Sequence, residues 1–307
     1  MTDKIRENFK ENNSELNFEN VGTTAMFVAY LRQVSGMPIA GEIAKLANAK
    51  EHVDKFIDGV KKKFDLSPEQ ADELIKKFAP SMELRQLSIT NLLKSRGVKN
   101  VLEIASGISS RGIEMTQDSE INYVESNMPK MIAEKEKLAR HFLPEGRNNL
   151  SFVAANALSL DDLKKAVEKL KGPIAIVNEG LLGYLTREEK ITVMKNIRQI
   201  LQEKGGFWVT TDFSTPEDRK DDFGNKELQE SVYEMMKKVT SRFMGDSTFS
   251  DENEIFNFIE GNGFEVEVLN QIDFSEGMVS GKNLNISEEQ IKKMLANKKL
   301  YILTLKK

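Results

Sequence analysis

At 307 residues, with 39% hydrophobic and 30% charged residues, the chain has the composition of a globular protein with one large core or two modest ones. Its net charge of −4, with Lys and Arg spread along the chain, leaves no basic footprint for nucleic acid. Cysteine is absent and histidine occurs twice, which excludes disulfides, thiolate chemistry and a His-rich metal site, and argues against a Ser-His-Asp triad.

Residues 1–17 are polar and lack the apolar stretch of a secretory signal. No run of about 18 apolar residues follows, so no membrane-spanning helix is expected and the chain reads as cytoplasmic. Up to residue 97 the signals are helical. Thr23 or Thr24 is placed to cap a helix carrying Ala25, Met26, Val28, Ala29 and Leu31. Pro38 interrupts, and residues 39–46 resume the pattern. Val53, Phe56, Ile57, Val60 and Phe64 recur at spacings of three and four, the mark of an amphipathic helix over 51–64. Ser67-Pro68-Glu69-Gln70 is a helix start, with serine as cap and proline at the first position. Pro80 is expected to end that helix, with another over 81–94. Residues 1–97 are thus predicted to form a helical cap beside an α/β domain over 98–307.

Residues 101–130 read as strand, glycine-containing loop, helix, strand and carboxylate. Val101 to Ile104 is an apolar-rich run of strand length. Ala105-Ser106-Gly107 follows; its small residues let a ligand lie on the backbone, and Gly107 tolerates positive φ. Ser109, Ser110 and Arg111 open a short helix, in which Gly112 permits close packing on the sheet. A second strand over 121–124 ends in Glu125, a position suited to accept hydrogen bonds from ribose hydroxyls. The dinucleotide fingerprint G-x-G-x-x-G is absent, since Ala105 and Ser109 stand at glycine positions, and no Gly-Lys-Ser/Thr follows as a P-loop requires. A loop preceded by Glu103 and lacking a phosphate cradle suits a nucleotide-like ligand without phosphates, such as S-adenosylmethionine. Units of this kind with a chance carboxylate are also common in α/β proteins, so the spacing alone does not decide.

Strand signals at 150–155, 174–178, 207–211, 263–268 and 300–305 alternate with helical ones at 161–171, from Thr186 and from Ser250. That alternation predicts a parallel sheet with helices on both faces. The run NEGLLGYL at 178–185 sits just past a strand's carboxyl end, where ligands of open α/β sheets bind. Glu179 there either meets a cationic ligand or caps the following helix. An insertion at 215–250, with a helix over 227–243, is placed to cover the pocket and choose the substrate. Tyr233, Arg242 and Phe243 are its candidate substrate contacts or its helix core.

Three segments together carry a family resemblance: EIASGISSRG at 103–112, YVESNMP at 123–129 with Lys135 beyond, and NEGLLGYL. In that order they resemble the leucine carboxyl methyltransferase superfamily, a class I S-adenosylmethionine-dependent group that includes tetracenomycin-type polyketide O-methyltransferases. TTAMFVAYLRQ at 23–33 resembles its TA…AR segment, and Met82-Glu83-Leu84-Arg85 its arginine before the first strand. The resemblance spans roughly residues 23–215 and returns in the last strand. It implies an α/β fold with a Rossmann-like class I methyltransferase sheet, mostly parallel with an antiparallel C-terminal strand, and an N-terminal helical cap.

The implied cofactor is S-adenosyl-L-methionine. Its implied contacts are Arg85, Glu103, Ala105, Gly107, Glu125, Ser126, Asn127, Asn156, Ala157, Glu179 and Gly180. Arg85 is expected on the carboxylate of the methionine tail, and Glu179 on its ammonium or beside the sulfonium. Asn127 and Asn156 stand where the family usually carries aspartate, so ribose binding rests on Glu125 and adenine on an amide. Arg32, Tyr184, Phe213, Tyr233 and Arg242 are the candidate substrate contacts; Arg32 alternatively makes a structural salt bridge, and Tyr184 simply packs. The implied activity is O-methylation of a small-molecule hydroxyl or carboxylate. The alternatives are a protein C-terminal carboxylate as acceptor, or cofactor binding without turnover. No catalytic residue, metal site or oligomeric state is assigned.

Overall fold

The computed structural model describes residues 18–219 and 249–306. Short apolar runs that alternate between two buried faces set its sheet. The strands are β1 (Asn100–Ile104), β2 (Asn122–Asn127), β3 (Leu150–Ala154), β4 (Ile174–Asn178), β5 (Gly206–Thr210), β6 (Phe264–Asn270) and β7 (Lys299–Leu305). Their order is β3-β2-β1-β4-β5-β7-β6. The pairs from β3 to β5 are parallel, and β7 runs antiparallel to both β5 and β6. Every residue of β1 and β4 is buried, as expected for parallel strands covered on both faces. The chain winds outward from β1 to β3 and then returns to lay β4 on the other side of β1. That reversal opens a crevice at the carboxyl ends of β1 and β4.

Each face has its own core. On one, Leu102, Ile104, Ile176, Trp208 and Leu303 pack with α7 (Leu160–Ala166), α8 (Arg187–Lys204) and α9 (Glu252–Gly261). On the other, Val101, Ala175, Val177, Val209 and Ile302 pack with Ala29, Ile43, Ala49, Ile89, Leu92 and Leu93. These last residues come from α1 (Phe18–Ser35), α2 (Pro38–Leu46), α3 (Ala49–Phe64) and α4 (Pro68–Ser95). The helical segment therefore shares a core with the sheet, besides a smaller cluster of its own around Leu31, Val53, Ile57, Ala71 and Ile75. No helix among the described residues is long and apolar enough to cross a membrane.

Several element ends differ from the sequence expectation, each for a local reason. Helix α1 begins at Phe18, so Thr24 is a buried residue within it rather than a cap. Helix α4 starts as expected, with a reciprocal capping box between Ser67 and Gln70, but runs straight past Pro80. Proline removes one backbone donor and crowds the preceding turn. Here α1 holds that stretch from outside: Ser35 Oγ donates to Ala79 O at 2.8 Å, and Arg32 Nε donates to Met82 O at 3.3 Å. Helix α7 is shorter than 161–171 and is capped by Ser159. The cap of α9 is Asp251, because Ser250 turns to Glu254 instead. Strand β2 continues to Asn127, which puts Glu125 inside it rather than at its end. Helix α8 opens at a capping box of Thr186 and Glu189, as its sequence suggests. The helix expected over 227–243 lies outside the described residues.

Leu93, fully buried where α4 meets the sheet, tests this shared core. Leu93→Ala should cost about 2–5 kcal/mol in denaturant unfolding. The helical and sheet signals should move together in a single transition.

Candidate active site

Past β1 the backbone turns sharply, with Ala105 at φ 54 and Gly107 at φ 55. An alanine in the left-handed region is strained, and such strain gathers at functional loops. Ser106 N donates to Ser126 O at 3.0 Å, which ties the loop to β2. Ser106 Oγ is buried and has no hydrogen-bond partner among the described residues. The loop leads into α5 (Arg111–Met115). A Cβ at Gly112 would lie 2.2 Å from Glu125 Oε1, so only glycine lets α5 sit directly on that carboxylate. Helix α6 (Pro129–Phe142) supports the loop from below. Its fully buried Lys135 donates to Ser109 O and stands 2.8 Å from Glu125 Oε2, an ion pair rather than a directed hydrogen bond.

At the end of β4 lies the densest charge cluster of the described residues. Glu179 Oε1 accepts from Arg32 Nη2 and, at 2.8 Å, from Arg85 Nε; Oε2 accepts from Arg111 Nη2 at 2.5 Å. Burial alone would raise the Glu179 carboxyl, but the three guanidiniums outweigh it and hold it well below the usual carboxylate range. Arg111, wholly buried, also pairs with Glu103, whose second oxygen accepts from Tyr123 Oη at 2.7 Å. Helix α4 pins this corner further. Gln86 Nε2 donates to Ser110 Oγ at 2.6 Å, and Arg111 Nε donates to Thr90 Oγ1 at 3.3 Å. Arg85 alone of the three arginines keeps substantial exposure, at 22% of its side chain. Among the described residues only its Nε is engaged in a hydrogen bond, leaving both terminal nitrogens available.

Of the candidate cofactor contacts, the structure gathers Arg85, Ala105, Gly107, Glu179 and Gly180 at this crevice. Asn127 ends β2 beside it, where its Oδ1 accepts from Met128 N. Asn156 and Ala157 follow β3, with Asn156 Oδ1 accepting from Leu158 N. Three candidates stand elsewhere. Glu103 is buried against Arg111 and Tyr123, so it supports the loop from beneath. Glu125 has no exposed surface: it lies under Gly112 with Lys135, and burial pushes its carboxyl up to about 7. The side chain of Ser126 points inward and donates to Glu103 O at 3.0 Å. The carboxylate expected at the tip of β2 is thus one pleat too deep, and Asn127 holds the tip.

The substrate candidates divide likewise. Arg32 makes the structural ion pair, with its side chain 5% exposed. Phe213 is core, packed edge-on against Trp208 and Tyr301. Tyr184 is half-buried at the crevice. Burial pushes its hydroxyl up, while a hydrogen bond with Thr24 and the charge of Arg85 pull the other way. Tyr233, Arg242 and Phe243 lie outside the described residues. Sequence reasoning gave no role to Gln86, Lys135 or Asp212. Lys135 was detectable as a cation on the buried stripe Ile132, Lys135, Ala139. Asp212 was detectable as a carboxylate just past β5, placed as Glu179 is past β4.

The caged carboxylate makes a direct prediction for acid stability. Glutamate in an unfolded chain titrates near 4.5, whereas native Glu179 titrates well below that. As pH falls through 4.5 the unfolded chain takes up the proton first, so this contribution is present above that pH and is lost progressively below it. Glu179→Gln should lower stability at pH 7 by about 3–5 kcal/mol, because buried guanidiniums lose their counterion. It should also flatten the fall between pH 4.5 and 3, as read from urea midpoints.

The family model for leucine carboxyl methyltransferase matches residues 32–198, more than half of the chain. No curated protein matches at a significant level. The chain is similar in structure to a candidate methyltransferase from Thermobifida fusca YX, with 15% identity, a TM-score of 0.52, and coverage of 77% of this chain and 87% of that one. It also aligns with magnesium protoporphyrin IX methyltransferase from Synechocystis PCC 6803, solved with bound SAH, at 16% identity and a TM-score of 0.44 over 76% and 87% of the two chains. A third match is an O-methyltransferase family protein from Burkholderia thailandensis, at 9% identity and a TM-score of 0.48 over 87% and 72%. The first of these shows the fold, a Rossmann-like methyltransferase sheet. The chain belongs to the leucine carboxyl methyltransferase family and is an S-adenosylmethionine-dependent methyltransferase.

Proposed function

We propose that the chain methylates an oxygen of a small-molecule hydroxyl or carboxylate, using S-adenosylmethionine. The observation that carries this reading is Arg85, partly exposed at the crevice with its terminal nitrogens free among the described residues. A guanidinium so placed matches a carboxylate in two parallel hydrogen bonds, and the cofactor's tail ends in one. The loop fits the same ligand: its backbone is bare at Gly107, and the buried Ser106 Oγ lacks a partner among the described residues. In this reading Arg85 holds the tail, residues 105–107 and Gly180 form the floor, Asn127 meets the ribose, and Asn156 and Ala157 meet the adenine. Glu179 keeps Arg85 aimed and leaves lone pairs for the tail ammonium.

The bound sulfonium supplies an electrophilic methyl group for in-line attack by oxygen. The chain's part is to orient that group, and positioning of this kind can contribute about 7–11 kcal/mol. Neither Asp212 nor Tyr184, the two further groups whose charge acts on Arg85, is set to take a proton from the acceptor. Asp212 already accepts four hydrogen bonds, and the Tyr184 hydroxyl is pushed up by burial. That favours an acceptor that ionises unaided, a carboxylate or an acidic phenol. The family's description, leucine carboxyl methyltransferase, is compatible with a second reading, in which the acceptor is a protein's C-terminal carboxylate.

Calorimetric titration with S-adenosylhomocysteine tests the cofactor site. Wild type should bind, and Arg85→Ala should bind about 10–100-fold more weakly, the loss of a charged hydrogen bond. Equal affinity in the two proteins would remove Arg85 from the site. An assay of S-adenosylhomocysteine release then separates the acceptors. Turnover with small phenols or carboxylic acids supports the first reading, and turnover only with peptides ending in leucine supports the second.

A further inference from the structure

Asp212 lies just past β5, and four donors converge on its carboxylate. They are Gly180 N at 2.7 Å, Leu181 N at 2.7 Å, Leu182 N at 2.9 Å and Asn178 Nδ2 at 2.6 Å. Three successive backbone N–H groups aimed at one point form an anion-binding concavity. Here the chain fills it with its own side chain. The arrangement is itself braced, since Asp212 N donates to Thr210 Oγ1 at 3.1 Å and Asn178 Oδ1 accepts from the buried Trp208 Nε1 at 2.6 Å. Gly180, at φ +74, makes the turn that brings these donors together. The residue immediately before them is Glu179.

We propose that Asp212 is a positioning residue for the cofactor site. By filling the concavity it fixes the backbone that carries Glu179 and, through Glu179, the direction in which Arg85 presents its free nitrogens. The charge of Asp212 also acts on Arg85 directly and favours its cationic form. Three guanidiniums, of Arg32, Arg85 and Arg111, are thereby matched by three carboxylates, of Glu103, Glu179 and Asp212. The proposal rests on the reading of Arg85 as the partner of the cofactor's tail. A merely structural Asp212 would tie β4 to β5 and affect every ligand of the crevice alike. A positioning residue acts only on ligands that carry the tail.

The test compares S-adenosylhomocysteine with adenosine, which lacks the tail, by calorimetry. Asp212→Asn keeps the shape but presents an amide donor to a ring of donors. It should weaken S-adenosylhomocysteine binding by about 10-fold or more and leave adenosine within about twofold. In an Arg85→Ala background the same substitution should cost less than about twofold, because both act on one contact. Equal losses for the two ligands, the same factor in both backgrounds, or undiminished S-adenosylhomocysteine affinity would overturn the role. If Asp212→Asn does not fold, Thr210→Val removes the hydroxyl that accepts from Asp212 N and should give a ligand-selective loss in the same direction; a folded Thr210→Val with wild-type affinity for both ligands overturns it equally. Failure of wild type to bind S-adenosylhomocysteine would sink the reading of Arg85, and this one with it.

Discussion

A carboxylate buried at the end of β4 sets the terms for the rest of the molecule. Taking Glu179 out of water costs several kcal/mol after relaxation, and only close counterions offset that cost. The three it has come from separate elements: Arg32 from α1, Arg85 from α4 and Arg111 from α5. One charged point thus joins the helical segment, the helix after the glycine loop and the loop after β4. Such a cluster adds little net stability compared with an apolar core of the same volume, but breaking it is costly. Its effect is to make alternative packings of α1 and α4 on the sheet expensive, which fixes the crevice geometry.

The centre of the sheet was readable because β1 and β4 are fully buried and therefore nearly continuous in apolar residues. Val101 to Ile104 and Ile174 to Asn178 could be little else once the helical stretches around them were placed. The helical segment was less readable at its joints. Pro80 carries a strong local signal to stop, yet α4 passes through it because Ser35 and Arg32 hold the adjoining carbonyls from another helix. Thr24 carries a capping signal, yet it is spent on Tyr184. In both cases a long-range hydrogen bond overrides a local preference, and no window of sequence contains both partners.

The site shows the same division in sharper form. Sequence order located the loop, the NEGLLGYL run and Arg85, because each sits just past a strand or in a recognisable motif. It did not show which carboxylates face the crevice. Glu103 and Glu125 pair in register across β1 and β2, and each found a cation of its own beneath the loop, Arg111 and Lys135. A carboxylate in a strand reads identically whether it meets a ligand or a buried lysine. The deciding information lay in the cations, one on an apolar helical stripe and one beside a glycine loop.

The arrangement of charge also bears on how a cofactor tail is received. Arg32, Arg85 and Arg111 against Glu103, Glu179 and Asp212 make a corner with no net charge. In the proposed reading a tail bearing one carboxylate and one ammonium adds no net charge to it, so binding does not rest on neutralising an excess. The tail carboxylate then goes to the guanidinium with donors to spare. Arg111 and Arg32 are buried and engaged, whereas Arg85 has only its Nε committed among the described residues. In the proposed reading that asymmetry directs the tail carboxylate to the terminal nitrogens of Arg85, while its Nε stays on Glu179. With Arg32 and Arg111 holding both oxygens of Glu179, Arg85 has a fixed partner to be aimed by and terminal nitrogens to offer.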